Sequence, residues 1–331
     1  MAGKIGVIGV GVFGTALAIT AERAQNEVLC WARDEKIVDD INLRHKNSKY
    51  MEGVVLNDKI RATLDLKEVI DFADVILLTV SAQHTREMLQ KIRPFVKNDT
   101  IIVLCAKGIE AKSGKMLSEI ADEELKSVDI AVLSGPGFAK DIADKKFVSV
   151  TIGALKEEVA KKVTEMMGTP YFRPYMTTDI ISVQVGGSVK NVIAIASGIV
   201  EGAKFGEGAR AALITRGFHE MTKLNEKLGG KLTTLKGMCG LGDLVMTASC
   251  CHSRNFSFGV EVGKLGNAIK VIEKNTQTVE GIFTTRAVVK RARELGIEMP
   301  ISQAMEKILF EGELLKDAMD ELLARSYKTE G

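Results

Sequence analysis

Lys190 is the only ionisable residue between Asp179 and Glu201. At the centre of an apolar, helically spaced stretch its ammonium has little access to water, and desolvation lowers an amine pKa from about 10.4 towards the range useful for proton transfer. That is the chemistry of a general acid and base. The same spacing also suits a lysine whose long stem carries its head back to the surface. Asp243 is a second isolated charge, alone between Lys236 and Arg254. A carboxylate in such surroundings calls for a cation, Lys190 being one partner, or for a helix N-terminus that it caps. Ser253-Arg254-Asn255 gathers a hydroxyl, a guanidinium and an amide in one short segment. Such a set can clamp a phosphate or lie in a solvated loop.

A second kind of chemistry is written near the start. Gly9-Val10-Gly11-Val12-Phe13-Gly14 follows a β-branched run and opens a helical pattern over residues 15–24. Gly9 permits a tight turn, Gly11 lets a pyrophosphate approach the backbone, and Gly14 lets helix and strand pack closely, with the helix N-terminus facing the phosphates. Strand, turn, helix and next strand all fall within 32 residues. That context makes the motif a dinucleotide fingerprint. Cofactor choice belongs at the end of the second strand, where an acid holds a ribose 2′-hydroxyl and an arginine accommodates a 2′-phosphate. There Arg33 comes first and Asp34 stands where it can cap the next helix, which tilts the reading to NADP without excluding NAD.

The elements that position these groups follow from periodicity. Runs such as Ile5-Gly6-Val7-Ile8, Val28-Leu29-Cys30-Trp31, Val75-Ile76-Leu77-Leu78, Ile101-Ile102-Val103-Leu104, Ile130-Ala131-Val132-Leu133 and Val148-Ser149-Val150-Thr151-Ile152 alternate with amphipathic segments. Nearly continuous apolar strands between helices predict a parallel sheet covered on both faces. In such sheets the ligand crevice lies beyond the carboxyl ends of the strands. Lys107, just after Leu104-Cys105-Ala106, therefore points at the bound molecule, and Ser134-Gly135-Pro136-Gly137-Phe138-Ala139 forms a glycine-rich turn at the same edge. Beyond Pro174 no proline occurs until Pro300, and residues 188–202, 209–228 and 301–325 carry three-to-four-residue apolar spacing. The last places Ile301, Met305, Ile308, Leu309, Leu315, Met319 and Leu322 on one stripe. The expected architecture is α/β: a Rossmann-type doubly wound sheet over residues 1–185, followed by a mostly α-helical domain over 186–331.

Composition closes off other classes. A length of 331 residues suits two domains, and 46% hydrophobic with 27% charged residues fits neither disorder nor a fibre. Forty-five basic residues against 43 acidic ones, interspersed throughout, lack the basic excess of a nucleic-acid binder. The five cysteines include no Cys-x-x-Cys pair, so a reducing cytoplasm is expected. Cys250-Cys251-His252 has no matching ligand pair elsewhere at structural-zinc spacing, so no metal is expected. Residues 5–21 are too short for a span and rich in glycine, and 180–200 has a central lysine, so no membrane insertion is expected; nor is a secretory signal.

Together these segments resemble the bacterial NAD(P)-dependent glycerol-3-phosphate dehydrogenases. The resemblance runs from Gly9-Val10-Gly11-Val12-Phe13-Gly14-Thr15-Ala16 through Ala106-Lys107-Gly108, Gly135-Pro136-Gly137-Phe138-Ala139-Lys140 and Val189-Lys190-Asn191-Val192. It continues through Ala209-Arg210-Ala211-Ala212-Leu213-Ile214-Thr215-Arg216-Gly217, Gly240-Leu241-Gly242-Asp243-Leu244, Ser253-Arg254-Asn255 and Val279-Glu280-Gly281. It implies reversible reduction of dihydroxyacetone phosphate to sn-glycerol 3-phosphate, the backbone precursor of phospholipids. It assigns Lys190 as proton donor and acceptor, with Lys107 beside both substrate and nicotinamide. Gly135, Asp243, Ser253 and Asn255 then belong to the substrate site, and Val12, Phe13, Arg33, Ala139, Arg254 and Glu280 join the fingerprint glycines in the cofactor site. Gly137 departs from the hydroxyl-bearing residue common there. The family also implies a homodimer through the helical domain. Two rivals stay open on the residues: a hydroxyacid dehydrogenase or ketoacid reductase of the same architecture, and a non-enzymatic dinucleotide sensor.

Overall fold

The computed structural model describes residues 3–276 and 278–324. The apolar runs form the middle of an eight-stranded sheet ordered β3-β2-β1-β4-β5-β6-β7-β8. Its strands are β1 (Lys4–Ile8), β2 (Glu27–Trp31), β3 (Ile60–Thr63), β4 (Val75–Leu78), β5 (Ile101–Leu104), β6 (Asp129–Ser134), β7 (Val148–Ala154) and β8 (Phe172–Thr177). Successive residues feed opposite faces: Val75 and Leu77 join one buried cluster while Ile76 and Leu78 join the other. This is why the central strands are apolar without alternation. Helices α1 (Val12–Arg23), α2 (Glu35–Arg44), α3 (Leu66–Phe72), α4 (Thr85–Ile92), α5 (Leu117–Glu124), α6 (Ala139–Ala143) and α7 (Glu157–Met167) accompany it. The first six strands take the Rossmann order and are mutually parallel.

Three features differ from the expectation. The sheet is not wholly parallel, because β7 runs antiparallel to β6 and β8 parallel to β7. Strands β3 and β8 escaped the apolar pattern. The first is four residues long with Arg61 exposed; the second contains Pro174, tolerated because β8 is an edge strand. The helical pattern over 301–325 is interrupted: α15 (Pro300–Glu306) passes into a π-helical turn (Lys307–Glu311), and Gly312, at φ 75°, stops it before α16 (Leu315–Leu323). Arg325 and the side chain of Leu322 lie outside the described residues.

The second half is built around α8 (Ile180–Gly202), which is buried almost throughout because other helices surround it: α9 (Glu207–Lys227), α10 (Leu232–Leu235), α11 (Asp243–Ser249), α12 (Arg254–Leu265) and α14 (Glu280–Glu294), with α15, while α13 (Ala268–Lys274) packs on α12 and on the 307–311 turn. This is a helix long and apolar enough to cross a membrane, but here that apolar length lies inside the protein. Asp179 caps it by accepting from Ser182 N at 3.0 Å, and also accepts from Lys231 N at 2.8 Å. An expected division at 185/186 therefore falls inside a continuous helix, and the helical part begins at Ile180. Where α8 crosses α12, a Cβ on Gly198 would strike the Phe256 carbonyl and one on Gly259 the Ile195 carbonyl. That crossing can exist only with glycine on both sides, and it sets the start of α12 beside the middle of α8.

The fingerprint glycines divide by role. A Cβ on Gly14 would run into the Gly9 carbonyl oxygen and lie 2.6 Å from Thr79 Oγ1, whereas a Cβ on Gly11, at φ −68°, would point into space with no non-neighbouring atom within 4 Å. Gly14→Ala is expected to cost about 1–3 kcal/mol of stability through overpacking. Gly11→Ala is expected to leave the melting temperature of the free protein unchanged and weaken dinucleotide binding by roughly tenfold or more, through one lost backbone–phosphate contact. Thermal melts with and without NAD(P)H check both. A Gly11→Ala protein that binds normally would remove the pyrophosphate from this turn.

Candidate active site

Three elements deliver the charged groups. β5 ends just before Lys107, α8 carries Lys190 at its middle, and α11 starts with Asp243. Asp243 is fully buried, and its carboxylate bridges both lysines: Oδ1 accepts from Lys190 Nζ at 2.5 Å and Oδ2 from Lys107 Nζ at 2.8 Å. Of the two roles open to Asp243, ion pair or cap, its side chain takes the first. A π-helical turn (Met238–Gly242) leads straight into α11, and Asp243 already has helical backbone angles.

Lys190 is buried, so it does not snorkel. Its Nζ also donates to Thr247 Oγ1 at 2.8 Å, and that hydroxyl lies 3.2 Å from Asp243 Oδ1. Burial is the largest influence on its pKa; the Asp243 charge opposes it and the Lys107 charge adds to it, and the outcome is an ammonium brought down to about 7. Lys107 is half-buried, donates to the Gly135 carbonyl at 2.7 Å, and sits 5.9 Å from the Phe13 ring centroid. Gly135, at φ 154°, cannot carry a side chain because a Cβ would come 2.7 Å from Val150 Cα.

A second, neutral chain of bonds joins the layers. Asn191 Nδ2 donates to the Lys107 carbonyl at 3.1 Å, Asn255 Nδ2 to Asn191 Oδ1 at 3.0 Å, and Gly281 N to Asn255 Oδ1 at 3.0 Å. Ser253 caps α12 by accepting from Phe256 N at 3.3 Å, which leaves its O–H to donate. Glu280 opens α14 with a mostly buried carboxyl; burial raises its pKa, and Oε2 has no partner among the described residues. Arg254 is exposed and exerts a favourable charge effect on Glu280.

Lys107, Gly135, Lys190 and Asp243 are thus in direct contact, with Asn255 one residue removed and Ser253 and Arg254 in the same turn. At the dinucleotide end, α1 starts at Val12 with no side-chain cap, so its first N–H groups are free to meet an anion. The open space at Gly11 and this uncapped helix start fit a pyrophosphate. Ala139 opens α6, directly after the Gly135 loop. Arg33 stands apart, exposed just past β2, while Asp34 caps α2 by accepting from Lys36 N at 3.2 Å. Sequence reasoning missed Thr247 and Asn191. Each had a local signal: Thr247 is one helical turn beyond Asp243, and Asn191 adjoins Lys190.

Two family models match the chain: that for the N-terminus of NAD-dependent glycerol-3-phosphate dehydrogenase over residues 4–160, and that for its C-terminus over 179–320. A glycerol-3-phosphate dehydrogenase [NAD(P)+] of Parvibaculum lavamentivorans is 42% identical over 327 residues, covering 99% of this chain and 98% of its own. Its counterpart from Staphylococcus haemolyticus is 37% identical over 330 residues, with 99% of each covered. Among solved structures, glycerol-3-phosphate dehydrogenase from Coxiella burnetii superposes with a TM-score of 0.92 at 34% identity, over 98% of this chain and 99% of that one. A D-mandelate dehydrogenase, at 17% identity and a TM-score of 0.62 over 93% and 98%, shares the fold alone.

The lowered Lys190 pKa has a thermodynamic consequence. Its folded value, about 7, lies below the unfolded value near 10.4, so the stability it confers is full above about pH 10.4 and lost as pH falls through 7. Lys190→Met removes that dependence and leaves Asp243 paired with Lys107. The variant's melting temperature is expected to gain on the parent's as pH drops from about 10 to 7. Parallel curves would mean that the ammonium is not destabilised by its surroundings.

Proposed function

The chain belongs to the NAD-dependent glycerol-3-phosphate dehydrogenase family, and from that premise we propose how its residues perform the reversible reduction of dihydroxyacetone phosphate to sn-glycerol 3-phosphate with NADH or NADPH. The observation that carries this reading is the buried Asp243 carboxylate holding two ammoniums at the carboxyl edge of the sheet, beside the dinucleotide turn. Bound dihydronicotinamide supplies the hydride to the ketone carbon. Lys190 then gives its Nζ proton to the carbonyl oxygen as negative charge develops there, and takes it back in the reverse direction. A pKa near 7 suits both roles. Lys107 adds positive potential at the same oxygen. Asp243 and Thr247 fix the direction of the Lys190 head.

Binding is divided between the layers. The sheet layer supplies the cofactor groups: Gly9, Gly11 and Gly14 with Val12 and Phe13 for the pyrophosphate side, and Arg33 for an adenosine 2′-phosphate. The helical layer, from α8 onward, supplies Lys190, Asp243, Ser253 and Asn255 to the substrate, with Gly135 and Lys107 facing them. The start of α12 offers the substrate phosphate a helix N-terminus, the Ser253 hydroxyl and the second amide hydrogen of Asn255. Arg254, Glu280 and Ala139 complete the cofactor site.

A homodimer through the helical domain is supported by Phe205, Ala211 and Ala212, exposed at and near the start of α9. All five cysteines are free thiols, which supports a cytoplasmic setting. There the product feeds glycerophospholipid synthesis. No membrane insertion or nucleic-acid partner belongs to this reading.

NAD(P)H oxidation with dihydroxyacetone phosphate, against a panel of 2-keto acids, tests the reading; preference for a keto acid would overturn it in favour of a ketoacid reductase. Lys190→Met should lower kcat by about 10² to 10⁴ while retaining NAD(P)H binding. In the parent enzyme, ketone reduction should decline above about pH 7 and alcohol oxidation rise, since one needs the ammonium and the other the amine. Arg33→Ala should weaken NADPH by about 1.5–3 kcal/mol and NADH much less, read by fluorescence titration. Equal losses would release Arg33 from its role.

A further inference from the structure

The segment between α11 and α12 brings together three soft ligands that the dehydrogenase chemistry does not use. The ligand atoms of Cys250, Cys251 and His252 lie within 4.8 Å of one another. Cys250 is half-buried, and Cys251 and His252 are exposed, so the cluster is open to an ion from solvent. A turn holds it: Ser253 N donates to the Cys250 carbonyl at 2.9 Å, and Ser257 Oγ donates to the Cys251 carbonyl at 2.6 Å. The His252 ring meets Phe138 edge to face, centroids 6.2 Å apart. Phe138 closes the Gly135 loop across the cleft, so this cluster touches both walls of the site.

We propose that Cys250, Cys251 and His252 bind a thiophilic divalent cation, zinc being the type, and that its binding slows turnover. In a tetrahedral zinc site with Zn–S near 2.3 Å and Zn–N near 2.0 Å, the two sulfurs and the nitrogen stand about 3.5–3.8 Å apart, so a contraction of about 1 Å on exposed side chains completes it. Two thiols each lose a proton to solvent on binding, the imidazole stays neutral, and water takes the fourth position. Contraction draws His252 from Phe138 and stiffens the turn that carries Ser253 and Asn255. The binding half stands on the cluster itself; the effect on turnover rests on the dehydrogenase reading above.

The other cysteines give the test a clean background. Cys30, Cys105 and Cys239 are buried, and burial pushes their thiols up, to about 12 for Cys30 and about 11 for Cys239. Alkylation of the folded chain by iodoacetamide therefore reports on Cys250 and Cys251. In EDTA-treated, reduced protein, one equivalent of Zn²⁺ is expected to slow labelling of both at least tenfold, and EDTA to restore it. Co²⁺ should give a thiolate-to-metal absorption band that His252→Ala weakens. Cys250→Ser with Cys251→Ser should keep basal turnover and lose its zinc sensitivity. Unchanged labelling at one equivalent overturns the site, whatever the substrate proves to be. Protected thiols with unchanged turnover overturn the effect on activity. Zinc inhibition that survives in the double serine variant places the metal elsewhere and does the same. Thiols that vanish in air, return with reductant and ignore zinc mark a vicinal redox pair, which also overturns the site. Should the serine variant fail to fold, labelling of the parent chain decides the binding half.

Discussion

A carboxylate with no access to water, shared by two ammoniums, is the constraint on which the rest of this molecule depends. Burying one charge of this kind unpaired costs several kcal/mol, and removing one member of a buried pair typically costs about 3–5. Without Asp243, Lys107 and Lys190 would meet as like charges with nothing between them. Together the three groups leave one net positive charge in a dry site. Lys190 is the more buried of the two lysines, and burial first, then the Lys107 charge, weakens its hold on its proton against the opposing pull of Asp243. The ion triad is therefore a structural joint that keeps Lys190 in a buried place, and it is chiefly that burial, with the Lys107 charge added and the Asp243 charge opposing, that brings the ammonium down to about 7.

Such a joint makes demands on the fold. Its members come from a strand end, the middle of one helix and the beginning of another, separated by 53 to 136 positions in the chain. The parallel strands put Lys107 at the carboxyl edge, and α8 must pass directly over that edge. A buried central helix encased by others meets the demand because its position is set from all sides. The glycine crossing with α12 draws the Ser253 turn in, and the Asn191–Asn255 pair ties that turn to the Lys107 backbone. Away from the chemistry, Gln184 of α8 exchanges bonds with Ser118 of α5, and Arg291 of α14 pairs with Glu119 at 2.9 Å. The sheet and helical layers are thus fastened on both sides of the cleft.

This dependence explains which parts were legible in the sequence. Lys190 and Asp243 stood out because a charge inside an apolar run is anomalous, and the glycine fingerprint because its spacing is mechanical. Their mutual contact was suggested by the need for pairing, but the second lysine on Asp243 was not, since no local pattern links Lys107 to a residue 136 positions away. The edge strands β3 and β8 were illegible for the opposite reason: edges bury little, so they need neither length nor a continuous apolar run. The start of α8 was placed late because no linker composition marks it; the Asp179 cap was the available signal. Gly312 was hidden within an apolar stripe that, on spacing alone, continued through it. Cys250, Cys251 and His252 matched no spaced ligand motif, since a tight turn between two helices did what sequence spacing usually does.

The division of labour between the layers has a mechanistic rationale. A ketone reductase must present a hydride donor to the carbonyl carbon and an acid to its oxygen, and no single helix or loop can offer both. In the proposed reading the sheet edge would fix one reactant through a remote pyrophosphate contact, and the start of α12 the other through its phosphate. Binding energy from these distant groups is then available to align the reacting carbon and oxygen. The triad lies between the two anchors, where alignment matters most. Of the two lysines, Lys107 also grips the Gly135 carbonyl, which suits the proposed role of a fixed charge, and Lys190 has a rotatable hydroxyl, Thr247, as its other partner, which suits the proposed role of proton donor. Thr247 Oγ1 can accept from the ammonium or donate to Asp243, so it can follow Lys190 between its two protonation states without leaving a buried donor unpaired.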